Sequence, residues 1–380
     1  MTVRIPEAVR LVCDRLTAAG FEAHPVGGCV RDSLLNRLPG DWDICTSALP
    51  TEILSVFSDC RCITTGMRHG TVTVLCGGSF EITTYRSDGA YIGHRRPEQV
   101  CFVRSLREDL SRRDFTVNAM ALTADGSILD YFGGIADIAA KCIRCVGHAE
   151  TRFEEDALRI LRALRFAARL GFSIESQTAD AMRRKADLLA CLSAERMKTE
   201  LWGILSSPAP ARLLREFAEV LASAVPVPAA VSDTLDAAAP VPELRLCLLF
   251  SEPERVSAFL KCSRRERERV SAFYAALSSP PTDRFSLISL LARLGEADLR
   301  LCLRLLTEGA KRESELNALL TEPPCLSERV LNIDSRTLSE LGFSGKQIGD
   351  IRKQLLHRIW EGSLKNEASA LLAAAKQVLP

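Results

Sequence analysis

The stretch Val26-Gly-Gly-Cys-Val-Arg-Asp32, followed eight residues later by Gly40-Asp-Trp-Asp-Ile44, holds the residue types that transfer chemistry needs. Alternate side chains of an extended segment share one face, so Asp41 and Asp43 aim two carboxylates at one point and can hold a divalent metal. Gly27 and Gly28 stand ahead of a predicted helix start, where bare backbone N–H groups attract phosphate. Metal and phosphate together imply phosphoryl or nucleotidyl transfer. Either half alone also occurs as an ordinary turn, loop or helix cap. Their order and spacing favour a site.

A two-metal transfer places ions about 3.5 to 4 Å apart and needs several carboxylates on rigid elements. Glu81 is the third candidate, because it interrupts the apolar alternation of Phe80-Glu-Ile-Thr-Thr-Tyr85 where a buried acid is costly; an edge-strand surface glutamate is the alternative. Arg31, one turn past the glycines, is placed to meet a triphosphate through a charge-assisted contact. A second group, Ser111-Arg-Arg-Asp-Phe-Thr-Val-Asn118, offers Arg112, Arg113, Asp114 and Asn118 to a triphosphate and to ribose hydroxyls. Such a run also occurs on solvated helix faces.

The third group, Phe153-Glu-Glu-Asp-Ala-Leu-Arg-Ile-Leu-Arg-Ala-Leu-Arg165, bears on the substrate. At about 100° per residue, Asp156, Arg159, Arg162, Arg165 and Arg169 share one side of a predicted helix. Asp156 and Arg159, at i and i+3, can act together on a base. A carboxylate only accepts hydrogen bonds and a guanidinium only donates them. Cytosine and adenine each present an amine donor beside a ring-nitrogen acceptor and fit the pair. Uracil and guanine present the reverse, leaving buried groups unpaired at about 1 to 3 kcal/mol each. Arg162 and Arg165 follow on the same stripe, positioned for phosphate or for orienting the pair. A solvated amphipathic helix is the alternative.

The elements that must position these groups follow from periodicity. Ile5 to Ala19 has a helical period, whereas Gly70-Thr-Val-Thr-Val-Leu75 and Phe80 to Tyr85 alternate as strands. From Thr151 onward helix-period segments succeed one another, broken at Ser207-Pro-Ala-Pro210, Pro226-Val-Pro228, Ser279-Pro-Pro281 and Glu322-Pro-Pro324. The expected fold is α+β, with an α/β head built on a mixed sheet and an all-helical remainder. The 380 residues, 47% hydrophobic and 26% charged, fit a globular chain of two to four domains. Its net charge of +1 argues against a strongly basic nucleic-acid binder, so RNA contacts must come from local patches. No run of about 18 apolar residues predicts a membrane span, no apolar leader opens the chain, and the expected compartment is the cytoplasm. The fourteen cysteines are scattered; Cys29, Cys45, Cys76 and Cys101 read as small buried hydrophobes, and Cys142 and Cys145 form a CxxC with no second pair to complete a zinc site.

Taken together, Gly27–Asp32 with Asp41-Trp-Asp43, Arg112–Asn118, Phe132-Gly-Gly134, Glu155-Asp-Ala-Leu-Arg159 and Ala194-Glu-Arg-Met-Lys-Thr-Glu200 resemble, in order, the motifs of bacterial-type (class II) tRNA nucleotidyltransferases, the CCA-adding enzymes and their poly(A) polymerase relatives. The match is dense over residues 20 to 205 and thinner beyond, where Leu341–Gly349 and the Asn366 region look similar to the family's tail. The resemblance implies a catalytic head over 1–145, a base-selecting neck over 146–206, a body over 207–324 and a tRNA-binding tail over 325–380. It implies magnesium on Asp41 and Asp43; Glu81 remains a catalytic candidate from the strand pattern alone. It assigns the triphosphate to Gly28 and Arg31, the nucleotide's phosphate and sugar side to Arg113 and Asp114, and the base to Asp156 and Arg159, supported by Arg162 and Arg165. The implied activity is addition of C, C and A to the 3′ end of tRNA from CTP and ATP, with no membrane or protein partner. A poly(A) polymerase or an A-adding enzyme with the same site is the alternative, and a non-catalytic RNA-binding protein a remoter one. Arg86-Ser-Asp-Gly-Ala-Tyr-Ile-Gly-His-Arg-Arg-Pro97 looks like the flexible loop of full CCA-adding members, departing from it at Gly93 and His94.

Overall fold

A computed structural model describes residues 2–89, 91–92, 96–97, 100–226 and 231–378. The chain forms two compact units, Met1–Val227 and Pro228–Pro380. Their boundary falls at the proline-containing break Pro226-Val-Pro228.

The first unit opens with α1 (Glu7–Ala18), whose Val9, Val12, Cys13 and Leu16 recur at helical spacing and are buried. A five-stranded mixed sheet follows in the order β1-β2-β5-β4-β3, made of β1 (Ala23–Pro25), β2 (Ile44–Thr46), β3 (Arg61–Ile63), β4 (Thr71–Leu75) and β5 (Ser79–Thr84). β2 and β5 are parallel; the other neighbours are antiparallel. β4 and β5 coincide with the two alternating runs of the sequence. Their inward residues Val72, Val74, Phe80 and Ile82 join Ile44 and Leu16 in one core, which α2 (Gly28–Leu34) and α3 (Pro50–Val56) supply with Val30 and Ile53. The opposite parity feeds a second cluster, in which Cys45 and Tyr85 meet Leu106 and Leu110 of α4 (Leu106–Ser111).

The rest of the first unit is mostly helical. The pair Met120–Leu122 and Ile128–Asp130 leads through α5 (Gly134–Ala139) to α6 (Ala149–Glu155), α7 (Leu158–Leu170), α8 (Ser176–Arg184) and α9 (Ala194–Leu205). Within Arg86–Pro97, Arg86–Asp88 pairs with Val100–Phe102 and Tyr91–Ile92 with Arg96–Pro97. Gly93 and His94 lie outside the described residues.

The second unit is helical throughout its described elements. Its core gathers Phe273, Leu287, Leu291, Leu316, Leu338, Leu355 and Leu371. Asn366 ties the tail locally: its Oδ1 accepts from the Asn332 N–H at 2.9 Å and its Nδ2 donates to Val330 O at 3.0 Å. The alternating runs and the breaks at Ser207-Pro-Ala-Pro210, Ser279-Pro-Pro281 and Glu322-Pro-Pro324 are thus present as read, Val227 and Pro228 lie outside the described residues, and among the described residues no helix is long and apolar enough to cross a membrane.

Ile82, fully buried between β2 and β4, carries the head core without touching the carboxylates. Ile82→Ala is expected to cost about 2 to 5 kcal/mol through lost burial and a residual cavity. The shift in urea midpoint reads it, and a loss well under 1 kcal/mol would show that the sheet does not depend on this core.

Candidate active site

The two aspartates sit on the extended run entering β2. The Val26 N–H donates to Asp43 O at 2.9 Å, continuing the β1–β2 ladder by one residue. Since Ile44 lies beside Ile82 in the parallel pairing, the residue before each brings Asp43 alongside Glu81. Ile44 and Ile82 point into the core, so alternation turns Asp43 and Glu81 to the other face. Asp41, Asp43 and Glu81 are exposed. Glu81 is therefore not the buried acid that the sequence pattern suggested: the strand's alternation puts it outward, opposite Thr73 of β4. Crowding by protein raises the Asp43 carboxyl above its usual range; Arg113 opposes this, and the charges of Glu81 and Asp41 add to it. Negative charge is concentrated here and calls for a cation. Two hard carboxylates suit magnesium, which is commonly held by one or two carboxylates with waters and substrate phosphates completing its shell. No group of three potential ligands within metal-binding reach occurs among the described residues, so Glu81 stands near the pair without completing a cluster.

The double glycine does begin a helix. Gly27, at φ +82°, precedes α2, and a Cβ there would lie 2.8 Å from Arg113 Nη1. A side chain would be strained by the backbone and would displace that arginine. Gly28 is the first residue of α2. Arg31 lies beneath the turn, only 4% exposed, donating from Nε to Asp32 Oδ1 at 2.9 Å and from Nη1 to Asn118 Oδ1. Asp32 thus neutralises its neighbour.

A cavity of about 260 Å³ is lined by Arg112, Arg113, Asp114, Asp156, Arg159 and Arg162. It unites the second and third groups of the sequence. Asp114 is buried and accepts from Arg162 Nε at 2.8 Å and Nη2 at 2.6 Å, while its other oxygen accepts from the Phe115 N–H at 2.8 Å and Asn118 Nδ2 at 3.2 Å. Burial alone would raise its carboxyl, but the charge and hydrogen bonds of Arg162, with Asn118 and Phe115, bring it below the ordinary value. Arg112 is held by the fully buried Asp109 through Nε at 3.0 Å and Nη2 at 2.8 Å. Among the described residues Arg113 has only long contacts, 3.5 Å to Asn118 O and 3.7 Å to Asp109 Oδ2, and its Nε has no hydrogen-bond partner there. It also acts electrostatically on Asp43, so it stands between the cavity and the acidic pair.

One expectation about this cavity needs correction. Asp156 is not on the helix that carries the arginines. It has φ −138° and ψ 103°, between the end of α6 and the start of α7. From that break its Oδ1 accepts from the Leu158 N–H at 3.1 Å, capping α7, and both its oxygens accept from Arg196 Nη2 at 3.0 and 2.8 Å. The helical period read through residue 156 because a short carboxylate competes with the backbone for exactly the N–H groups a helix start leaves open. Arg159, buried, is directed by Glu155, by Arg152 O at 3.1 Å and by Arg112 O at 2.9 Å. Asp156 and Arg159 still line one cavity, each fixed by its own partners. Arg165 lies outside it, 2.9 Å from Glu200 Oε2 of α9. A Cβ at Gly203 would fall 2.4 Å from Arg165 Cδ, so that glycine makes the α7–α9 approach possible.

Sequence reading missed several residues that hold this arrangement. Phe166 has the guanidinium groups of Arg31, Arg162 and Arg165 at 5.3, 5.2 and 5.1 Å from its ring centre and packs edge-on to Phe115 at 5.8 Å. Arg196 and Glu200 lie within a quoted motif and four residues apart on α9, a spacing that puts both on the side facing α7. Asp109 gave no signal beyond its place three residues before Arg112. The cysteines also differ in part: Cys29 and Cys45 are buried, but Cys76 is half-buried and Cys101 exposed.

Residues 23–144 match the family described as Poly A polymerase head domain, and residues 171–228 that described as probable RNA and SrmB- binding site of polymerase A. The chain is 35% identical over 386 residues to the CCA-adding enzyme of Levilactobacillus brevis, a match covering 97% of each protein. The chain belongs to the CCA-adding enzyme family. It is also 49% identical over 205 residues to the CCA-adding enzyme of Lactiplantibacillus plantarum, covering 54% of this chain and 50% of that one, so this match spans about half the relative's length. Among solved structures, the Bacillus stearothermophilus CCA-adding enzyme in complex with CTP aligns with a TM-score of 0.81 and 30% identity over 98% of this chain and 96% of that one.

The Asp114–Arg162 pair gives a direct test within this family framework. Asp114→Asn is expected to cost about 1 to 3 kcal/mol, because Arg162 is left without its charge partner. Folding lowers the Asp114 value, so its contribution is complete above the ordinary carboxylate value of about 4 and is lost as pH falls through the lowered native one. Acid denaturation followed for both proteins should show the difference narrowing below about pH 4. A gap that stays constant into strong acid would place the stabilisation elsewhere.

Proposed function

We propose that this chain adds C, C and A to the 3′ end of tRNA from CTP and ATP without a nucleic-acid template. The observation that carries the proposal is the cavity in which an acceptor-only carboxylate, Asp156, and a donor-only guanidinium, Arg159, lie beside arginines leading through Arg113 to Asp43. The base then meets Asp156 and Arg159, and the complementarity of donors and acceptors restricts it to cytosine or adenine. Arg113, with Gly28 at the turn and Arg31 held beneath it by Asp32 and Asn118, faces the triphosphate. Asp114 holds Arg162 toward the sugar and phosphate side, and Arg165 supports the same helix. Asp41 and Asp43 would hold magnesium, which when bound neutralises charge on the triphosphate and favours attack by the terminal tRNA hydroxyl with departure of pyrophosphate. Glu81, beside Asp43, adds negative charge to that site.

Relatives support both substrates. The Bacillus stearothermophilus structure is a complex with CTP. A tRNA nucleotidyltransferase complexed with a primer tRNA and an incoming ATP analogue aligns with a TM-score of 0.65 at 26% identity over 82% of this chain. In this proposal the catalytic head is 1–145, the base-selecting neck 146–206, the body 207–324 and the tRNA-binding tail 325–380. In this proposal the chain works in the cytoplasm.

The deciding experiment supplies each of the four nucleoside triphosphates, singly and mixed, to tRNAs ending at the discriminator base, after C and after CC. Addition that stops at CCA is expected. Unlimited A addition would mean poly(A) synthesis, and extension of the CC-ended tRNA alone an A-adding enzyme. Asp41→Ala should abolish transfer of every nucleotide; retained transfer removes Asp41 from the metal site. Asp156→Ala should relax the choice of base more than it weakens metal dependence, and an unchanged preference for C and A sinks the template role.

A further inference from the structure

The edge of the sheet carries a second group of reactive side chains that nucleotide transfer does not use. β3 and β4 are antiparallel, with Arg61 opposite Leu75 and Cys62 opposite Val74. Continuing that register by one residue sets Cys60 across from Cys76. Facing residues of such strands have Cβ atoms about 4.5 to 5.5 Å apart. A disulfide spans about 3.5 to 4.5 Å between Cβ atoms, so a small closure at the end of β3 suffices. Nη1 of Arg15 lies 3.6 Å from Sγ of Cys60 and 3.6 Å from Sγ of Cys76, so both sulfurs converge on one guanidinium group. Arg15 is itself fixed, donating from Nη2 to Val56 O at 2.6 Å and pairing with Asp59.

Accessibility separates this pair from the buried thiols of the head. Cys60 and Cys76 are half-buried, whereas Cys13, Cys29 and Cys45 are buried. Burial pushes the Cys13 and Cys29 thiols up to about 12 and makes them inert. The Cys60 thiol is raised first by its hydrogen bond with Cys76, then by burial, with Arg15 acting against both. Cys62 is turned away, its Sγ directed to Phe57 O at 3.8 Å and Cys60 O at 3.7 Å.

We propose that Cys60 and Cys76 are a thiol-modification site, a facing pair that low-molecular-weight disulfides such as oxidised glutathione convert into one intramolecular disulfide. One cysteine, as thiolate beside Arg15, attacks a sulfur of the small disulfide; the S–S bond breaks and the first small thiol leaves. The second cysteine, as thiolate, attacks the protein sulfur of the mixed disulfide and expels the second small thiol. The two protein thiols are oxidised, the small disulfide is reduced to two thiols, and the two cysteine protons end on them. The new bond ties β3, the edge strand, to β4.

The test treats the reduced full-length protein with oxidised glutathione, blocks remaining thiols with iodoacetamide and maps peptides by mass spectrometry. The expected result is a Cys60–Cys76 link as the first internal disulfide, with two thiols lost from the original fourteen. Cys60→Ser and Cys76→Ser should each leave a persistent mixed disulfide on the remaining partner. The proposal is overturned if both thiols are still free once the exposed Cys101 and Cys191 carry glutathione, or if Cys76 joins Cys62 instead.

Discussion

The contact between Asp114 and Arg162 is the interaction on which the arrangement of the site depends. It joins the segment after α4 to the middle of α7, elements that are distant in sequence. An isolated buried carboxylate is costly, and this one is tolerated because all its hydrogen-bonding capacity is used: Arg162 on one oxygen, Phe115 N–H and Asn118 on the other. The same joint is reinforced from below by the edge-on rings of Phe115 and Phe166. Arg31, from beneath the glycine turn, reaches both sides of it, bonding Asn118 and lying over Phe166. The segment after α4, the glycine turn and α7 are thereby fixed to one another through a few side chains.

A second constraint is the parity of the sheet. A strand entering the core must alternate, so once Ile44 and Ile82 are buried, Asp43 and Glu81 have no choice of face. The parallel register then makes them neighbours. The apolar face behind them holds these acidic residues together; burial raises the Asp43 carboxyl, Arg113 opposes it, and the charges of Glu81 and Asp41 add to it. Hydrophobic burial on one side of the strand thus prepares a cation site on the other.

This division explains what was legible in the sequence. The strands Thr71–Leu75 and Ser79–Thr84, the helix after Gly27 and the proline breaks were legible because each is set by local periodicity or backbone freedom. The cavity residues Arg112, Arg113, Asp114, Arg159 and Arg162 were legible as candidates because their types suit nucleotide chemistry. Their pairing was not. The Asp109–Arg112 pair is local, at i and i+3, but that Arg162 answers to Asp114 and Asp156 to Arg196 is decided by tertiary packing, and no spacing along the chain encodes it. The position of Asp156 failed for a related reason: a helical period continues through a residue whose side chain, by capping, has broken the helix.

The pairing has a further consequence for how the cavity treats an anion. Four arginines line it, a concentration of positive charge that would repel itself if left unanswered. Asp109, Asp114 and Glu155 answer three of them at hydrogen-bonding distance. Among the described residues Arg113 keeps only contacts of 3.5 and 3.7 Å, and its Nε is without a partner there. Arg112 and Arg162 are therefore held as scaffolding and Arg159 is fixed in orientation toward the base, whereas Arg113 retains charge and donor capacity for an incoming phosphate. Its place against Gly27, where no side chain fits, and within the field of Asp43 puts that capacity where a triphosphate would meet the acidic pair.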